Sequence, residues 1–282
     1  MTNPPTPTPG PRPRPAAAPA PAPRWDPSQY LRHEAHRTRP FLDLLARVNP
    51  PAQPSRIADL GCGAGNATAL LADRWPTART TGYDNSREML ATAARYATPH
   101  LDFAYADAAT WAPAPASYDL IVSNALLQWI PDHTALFEGW LDALTAGGTF
   151  AFQVPGNFAA PSHTILTDLR NSTRWRNRLA GVGDRAGAVE DPGTYLSLLT
   201  SLGCETDVWE TTYLQLLPGT DPVLDWVKGT ALRPVLTALA DDEEASGLFT
   251  TEYAALLRKA YPPTPAGTVF PFRRVFALAT RP

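Results

Sequence analysis

The chain is poor in cysteine, in net charge and in long apolar runs, and each shortage closes off a class of function. Only two cysteines, Cys62 and Cys204, occur in 282 residues. Two isolated thiols exclude a disulfide framework, supply no redox pair and do not indicate an oxidising compartment. No His, Cys, Asp and Glu cluster has metal-ligand spacing, so no metal is expected. A formal net charge of −3 gives nucleic acid or an acidic membrane no electrostatic reason to bind. No stretch reaches the roughly 18 apolar residues of a transmembrane helix. These exclusions leave the expectation of a cytoplasmic protein with a small-molecule partner; oligomeric state is not legible.

What is abundant at the start is proline. Residues 1–24 hold ten prolines, five alanines and three arginines, with no acidic residue. Proline fixes its backbone and donates no hydrogen bond, so this segment is expected to be a disordered, extended tail. Its prolines also interrupt any secretory apolar core. Hydrophobic residues make up 44% of the chain, enough for residues 25–282 to form one large domain.

From Trp25 onward, strand and helix patterns alternate. Strand candidates are 57–60, 80–83, 102–106, 120–123 and 149–154, with helices near 67–75, 87–96 and 134–144. A lead-in helix carries Pro40 in its first turn and Phe41, Leu44, Leu45 and Val48 on one face, and Pro50 and Pro51 end it. Regular alternation predicts an α/β fold, a mostly parallel seven-stranded sheet with helices on both faces. Residues 25–155 form its core. After Pro155 helices dominate: one over 165–179, one from Asp191 and Pro192 to Gly203, one from Asp221 and Pro222. Strands at 204–214 and 269–279 complete the same sheet, so residues 156–268 read as a mainly helical cap with one sheet strand, and 269–282 as the final strand.

The chemistry centres on DLGCGAGN, residues 59–66. Its glycines, Gly61, Gly63 and Gly65, follow a G-x-G-x-G spacing rather than the G-x-G-x-x-G of dinucleotide enzymes. Glycines let the backbone turn sharply and approach a ligand, and Asp84, at the end of the next strand, can accept from a ribose diol. Because Asn66 closes the loop early, a cofactor without a pyrophosphate fits better than a nicotinamide dinucleotide. Asp84 as a helix cap and Asp107 as a solvated loop residue are the ordinary alternatives at single positions.

Four motifs in order, across 25–154, resemble class I S-adenosylmethionine-dependent methyltransferases. The first motif matches 59–65; the ribose-binding acid matches Asp84 in GYDNS; the adenine segment matches Ala106, Asp107 and Ala108; the fourth matches YDLIVSNALLQW, 118–129. The resemblance implies a Rossmann-like class I methyltransferase fold and S-adenosylmethionine as methyl donor, with S-adenosylhomocysteine as its product. It implies cofactor contacts from Asp59, Gly61, Gly63, Gly65, Asn66, Asp84, Asn85, Met89, Asp107, Ala108 and Asn124, with Arg39 closing over from the lead-in segment. Asp107 would accept from the adenine amino group, and Asn85 or Met89 would lie against the adenosine.

WDPSQYL (25–31), HRTRP (36–40), QVPGN (153–157) with His163, and FPFRRVFALAT (270–280) look like the branch of that family that methyl-esterifies one carboxylate of trans-aconitate, a small unsaturated tricarboxylate. That implies substrate contacts from Tyr30, Trp129, Gln153, His163, Arg174 and Arg274. An ionised carboxylate is already a nucleophile at neutral pH, so no catalytic group beyond positioning is required. A polycarboxylate does need cations and donors. Arg170, Arg174 and Arg178 share helical i, i+4 spacing; Arg273 and Arg274 are neighbours on a strand and point to opposite faces, Arg274 being favoured for the pocket. Two alternatives stay open. The same architecture could methylate another natural-product oxygen, nitrogen or carbon, where a neutral nucleophile needs a base, or it could be a non-catalytic cofactor-binding module. A nucleic-acid enzyme is disfavoured, since SNALLQW stands where adenine-modifying enzymes carry an Asn/Asp-Pro-Pro-aromatic tetrapeptide.

Overall fold

A computed structural model of the chain describes residues 34–49, 53–184 and 187–282; the expected tail over 1–24 and Tyr30 lie outside these. The core runs α1 (Glu34–Arg47), β1 (Arg56–Leu60), α2 (Asn66–Arg74), β2 (Arg79–Asp84), α3 (Arg87–Ala93), β3 (Leu101–Tyr105), β4 (Tyr118–Asn124), α4 (Phe137–Asp142) and β5 (Leu144–Pro155). Then come α5 (Pro161–Asn171), α6 (Arg176–Leu179), α7 (Pro192–Ser201), β6 (Glu205–Leu217), α8 (Pro222–Lys228), α9 (Arg233–Ala238), α10 (Glu243–Ala260), β7 (Pro263–Thr264) and β8 (Gly267–Thr280).

The strands lie in the order β3-β2-β1-β4-β5-β8-β6. β1 to β5 pair in parallel, and β8 runs antiparallel between β5 and β6. The two-residue β7 hooks onto β8 and makes an eighth strand where seven were expected; so short a strand carries no periodic signal. Chain order reverses between β1 and β4, and a parallel sheet binds ligands outside its carboxyl ends at such a switch point.

Period-two alternation sorts the core into two layers. Ile57, Leu120, Val122, Ala151 and Phe276 face α1 and α2, where Phe41, Leu44, Leu45, Val48 and Leu71 are buried. Ala58, Ile121, Phe150, Phe152 and Ala277 face the other way, onto Phe137 and Trp140 of α4 and Tyr195 and Leu199 of α7. α7 therefore covers the sheet rather than the cap. The cap has its own core: Leu166, Trp175, Leu179, Trp226, Phe249, Tyr253 and Leu257 close around Phe270 and Phe272, the near end of β8.

Three local expectations need correction. Pro40 sits inside α1, which begins at Glu34; a proline there removes the N–H that would bond four residues back and crowds that carbonyl, and the buried face downstream holds the helix against this cost. The expected helix over 165–179 is two helices broken at Ser172, so Arg170, Arg174 and Arg178 do not share a face. Asp191 caps α7 by accepting from Thr194 N–H at 3.1 Å, whereas Asp221 makes no side-chain cap and pairs with Arg258 instead, at 2.6 and 2.8 Å.

Two tyrosines fix the start of α5: Tyr261 Oη accepts from Ser162 N–H at 3.0 Å, and Tyr253 donates to the Ser162 carbonyl. Tyr253→Phe should cost about 1 kcal/mol, read as a shift in denaturant midpoint at constant slope; an unchanged midpoint would remove this anchor.

Candidate functional site: a glycine loop beside a buried cavity

The glycine loop leaves β1 at the switch point. Gly61 and Cys62 N–H both donate to the Tyr83 carbonyl, at 2.8 and 3.0 Å. Gly63 N–H donates to Asp84 Oδ2 at 2.9 Å, and Ser86 N–H to Oδ1 at 2.8 Å. The tips of β1 and β2 are thus joined through one carboxylate. Burial raises the Asp84 pKa, opposed by the backbone N–H groups of Ser86, Gly63 and Asn85.

The three glycines have different reasons. All have left-handed φ, +76°, +55° and +83°, a conformation costly for side chains. A Cβ on Gly61 would meet Leu126 Cβ at 2.8 Å, and one on Gly65 would meet Ala93 Cβ at 2.8 Å and Phe103 Cζ at 2.9 Å. Those two let protein pack on protein. A Cβ on Gly63 would meet nothing within 4 Å, so this is where the loop faces open space.

Other expected cofactor residues gather around it. Asn66 opens α2 behind Gly65. Asn85 is exposed, and Met89 is buried with its N–H on Ser86 Oγ at 3.2 Å. Ala106 N–H donates to the Asp84 carbonyl at 3.1 Å, which sets Asp107 beside it; Asp107 is exposed and accepts from Ala109 N–H at 3.0 Å, next to half-buried Ala108. Asp59 is buried and accepts from Thr68 Oγ1 at 2.7 Å. Arg39 is not brought here: its guanidinium lies 5.1 Å from the Tyr213 ring centroid, on the sheet's outer strand.

A cavity of about 370 Å³ opens from the tip of β4 under the cap, and its wall includes Asn124, Trp129, Asn157, His163, Arg170 and Arg274. Ala125, in the same wall, has a left-handed φ of +57° and donates its N–H to the Gln153 carbonyl at 2.9 Å. Strained non-glycine backbone of this kind concentrates at functional sites. Arg274 is buried, donates Nη1 to Gln153 Oε1 at 3.1 Å and lies 4.4 Å from the Phe272 ring centroid. Gln153 is fully buried, donates Nε2 to Asn124 Oδ1 at 2.9 Å and stands behind the cavity wall. Arg273 points the other way, to Glu210 at 2.9 Å and the Gly156 carbonyl at 2.9 Å.

Of the helical arginines, the structure brings Arg170 to the cavity and leaves Arg174 outside. Arg174 is 55% exposed and pairs with Glu252; Arg178 pairs with Asp242 at 2.8 Å. Arg170 is buried, donates Nη2 to Thr167 Oγ1 at 3.0 Å and lies 4.0 Å from Asp184. Its signal is the seven-residue step from His163, which puts both on one helix face once α5 is counted from Pro161. Asn157, the last residue of QVPGN, joins the wall without having been assigned a role from sequence. His163 contacts Ser162 Oγ at 3.1 Å and Asn157 Nδ2 at 3.5 Å, and burial pulls its pKa down to about 4. At neutral pH it is an uncharged wall residue.

A methyltransferase domain family model matches residues 57–148. A trans-aconitate 2-methyltransferase of Streptomyces coelicolor is 62% identical over 264 residues, 92% of this chain and 87% of that one. One of Streptomyces avermitilis is 63% identical over 262 residues, 90% and 96% of the two chains. The chain belongs to the trans-aconitate 2-methyltransferase family. It is an S-adenosylmethionine-dependent methyltransferase. Solved structures carry the same fold: the YcgJ protein of Bacillus subtilis superposes with a TM-score of 0.56 at 13% identity, covering 86% of this chain and 98% of that one. A phosphoethanolamine N-methyltransferase 2 of Haemonchus contortus, in complex with S-adenosyl-L-methionine, gives 0.52 at 19% identity, covering 86% and 52%.

The residues present suit that cofactor. Gly63 offers an open backbone approach, and Asp84 keeps acceptor capacity for a diol beyond its backbone donors. Among the described residues no group of three His, Cys, Asp or Glu is placed to hold a metal ion.

The open and the packed glycine should respond differently to a methyl group. Gly63→Ala should cost only the ~1–2 kcal/mol of a left-handed alanine and lose cofactor affinity, whereas Gly65→Ala should lose a further ~1–3 kcal/mol through overpacking; thermal melts and cofactor titration separate them, and the reverse pattern would refute the assignment.

Burial pushes the Asp59 carboxyl up to about 7, against its Thr68 hydrogen bond and with the Asp84 charge adding to the rise. The unfolded chain releases this proton near pH 4 and the folded chain holds it to about pH 7. Asp59 thus favours folding most below about pH 4, and that contribution drains away as pH rises to about 7, by at most ~1.4 kcal/mol per pH unit. Asp59→Asn keeps an acceptor for Thr68 and removes the titration. Its cofactor-free stability should gain on the native protein between about pH 5 and about pH 7; a constant difference would mean an ordinary carboxyl.

Proposed function

We propose that this chain methyl-esterifies one carboxylate of trans-aconitate or a closely related small polycarboxylate. The observation that carries the reading is Arg274, a buried guanidinium in the wall of a cavity beginning at the tip of β4. A buried cation is costly unless an anion or a set of hydrogen bonds meets it, and a planar carboxylate matches a guanidinium's paired donors. The trans-aconitate 2-methyltransferase relatives support the same acceptor.

When bound, S-adenosylmethionine supplies an electrophilic methyl group. The glycine loop with Asp59, Asn66, Asp84, Asn85, Met89, Asp107 and Ala108 would hold it, and Asn124 stands between that cleft and the acceptor cavity. The chain's own work is binding, orientation and exclusion of water. Arg274 anchors a carboxylate that does not react, since a guanidinium on the attacking oxygen would lower its nucleophilicity. Arg170 marks a second cationic wall. Trp129, Trp226 and Phe272 give the cavity an apolar lining that suits a carbon skeleton. His163, with its pKa near 4, is too weak a base to activate a hydroxyl acceptor, which favours an acceptor already ionised. Arg174 and Arg39 act, in this reading, as packing and surface residues. No described helix is long and apolar enough to cross a membrane; we place the enzyme in the cytoplasm.

Replacing Asp84 with Ala should raise the cofactor dissociation constant about 10- to 150-fold, the worth of lost charge-assisted bonds. Arg274→Leu should raise the KM for trans-aconitate by a similar factor and leave the cofactor KM within about threefold. Equal effects of Arg274→Leu on both ligands, or none, would reject Arg274 as the acceptor's anchor.

A further inference from the structure

Asn124, Gln153 and Arg274 lie on three adjacent strands. Asn124 is the register partner of Gln153, and Arg274 sits diagonally from it, two residues before its partner Phe276. By period-two alternation all three share the face of Val122, Ala151 and Phe276, the face that α1 covers. Asn124 and Arg274 reach the cavity wall, whereas Gln153 is 1% exposed and is not part of it. Both ends of its amide are committed, Oε1 to Arg274 at 3.1 Å and Nε2 to Asn124 at 2.9 Å.

We propose that Gln153 is a positioning residue whose buried amide fixes the polarity of the acceptor cavity, presenting N–H donors from both Asn124 and Arg274 to a carboxylate. A guanidinium can only donate. Arg274 therefore turns the Gln153 oxygen toward itself, which turns the Gln153 NH2 toward Asn124. Asn124 must then accept with its oxygen, and its own NH2 is left toward the cavity, where it donates to no protein group among the described residues. An asparagine alone could present either end of its amide; the relay removes that choice. One cation thereby sets two donors, one at the tip of β4 beside the cofactor loop and one deeper under the cap. An ionised carboxylate gains about twice as much from each such donor as a neutral oxygen does, and a cationic acceptor is repelled by Arg274, so the relay favours anions. This inference rests on the proposed carboxylate acceptor and extends it to a residue outside the cavity.

The test compares Gln153→Glu with Gln153→Met. A glutamate still accepts from Arg274 but cannot donate when ionised, so Asn124 must donate to it and show its oxygen to the cavity. A methionine fills the space and leaves Asn124 and Arg274 uncoupled. Stability should rank Gln153→Glu above Gln153→Met, while affinity for trans-aconitate should rank them the other way, with the KM of Gln153→Glu raised at least about tenfold and cofactor affinity changed less than about threefold. A merely structural glutamine predicts one ranking for both readouts, and that result would overturn the proposal. Melting temperatures of Gln153→Met, Arg274→Leu and the double variant give a readout without substrate. The double variant should fall well short of the summed losses, because both singles break one network; additive losses would overturn the relay. If native protein methylates no polycarboxylate, the acceptor reading fails, and this cycle still decides whether the relay exists.

Discussion

Arg274 is held out of water, and the acceptor half of the molecule depends on that burial. A guanidinium removed from solvent must find acceptors and a polarisable surface. It finds the Gln153 oxygen on β5 and the Phe272 ring on its own strand. Both are available only because β8 returns antiparallel to β5 and continues, paired with β6, past the end of β5 into the cap core. The same strand therefore closes the sheet, seats the cap helices and delivers the cation. Truncating β8 or replacing Phe272 would disturb all three together.

The cofactor half depends on a different contact of the same kind. One carboxylate, Asp84, takes backbone N–H groups from the loop after β1 and from the turn before α3. The two halves then meet at Gly61, whose missing side chain lets Leu126, in the loop after β4, lie against the cofactor loop. Methyl transfer needs donor and acceptor held within a few tenths of an ångström of the reactive geometry, and this close packing joins the two loops that position them. Ala125, strained at its positive φ, is held there by the Gln153 carbonyl.

Most of the core was legible because its signals are local. Each β-to-glycine or β-to-acid transition is written in a few adjacent residues, and the DLGCGAGN loop, Asp84 and Asn124 emerge at neighbouring strand tips as their order in the sequence predicts. The cap was less legible because its helices are short and are defined by what they bury. α5 begins at Pro161, four residues before the apolar periodicity suggests, and Ser172 breaks the run. That offset and the break part the three arginines the spacing had put on one face, so that Arg170 reaches the cavity and Arg174 does not. Gln153 stands out in the sequence as a substrate residue, yet sequence alone could not reveal that it stands behind the wall: its role comes from register with Asn124 on one side and a diagonal contact with Arg274 on the other, and both are tertiary.

The central claim is that the cavity presents a carboxylate to the methyl donor. The most direct measurement supplies S-adenosylmethionine with a carbon-13 methyl group and trans-aconitate to the purified chain, and follows the label by NMR and mass. The account predicts a single labelled methyl ester per tricarboxylate, formed without added metal. Label that enters no carboxylate of trans-aconitate or related polycarboxylates, from protein that binds the cofactor, would contradict it.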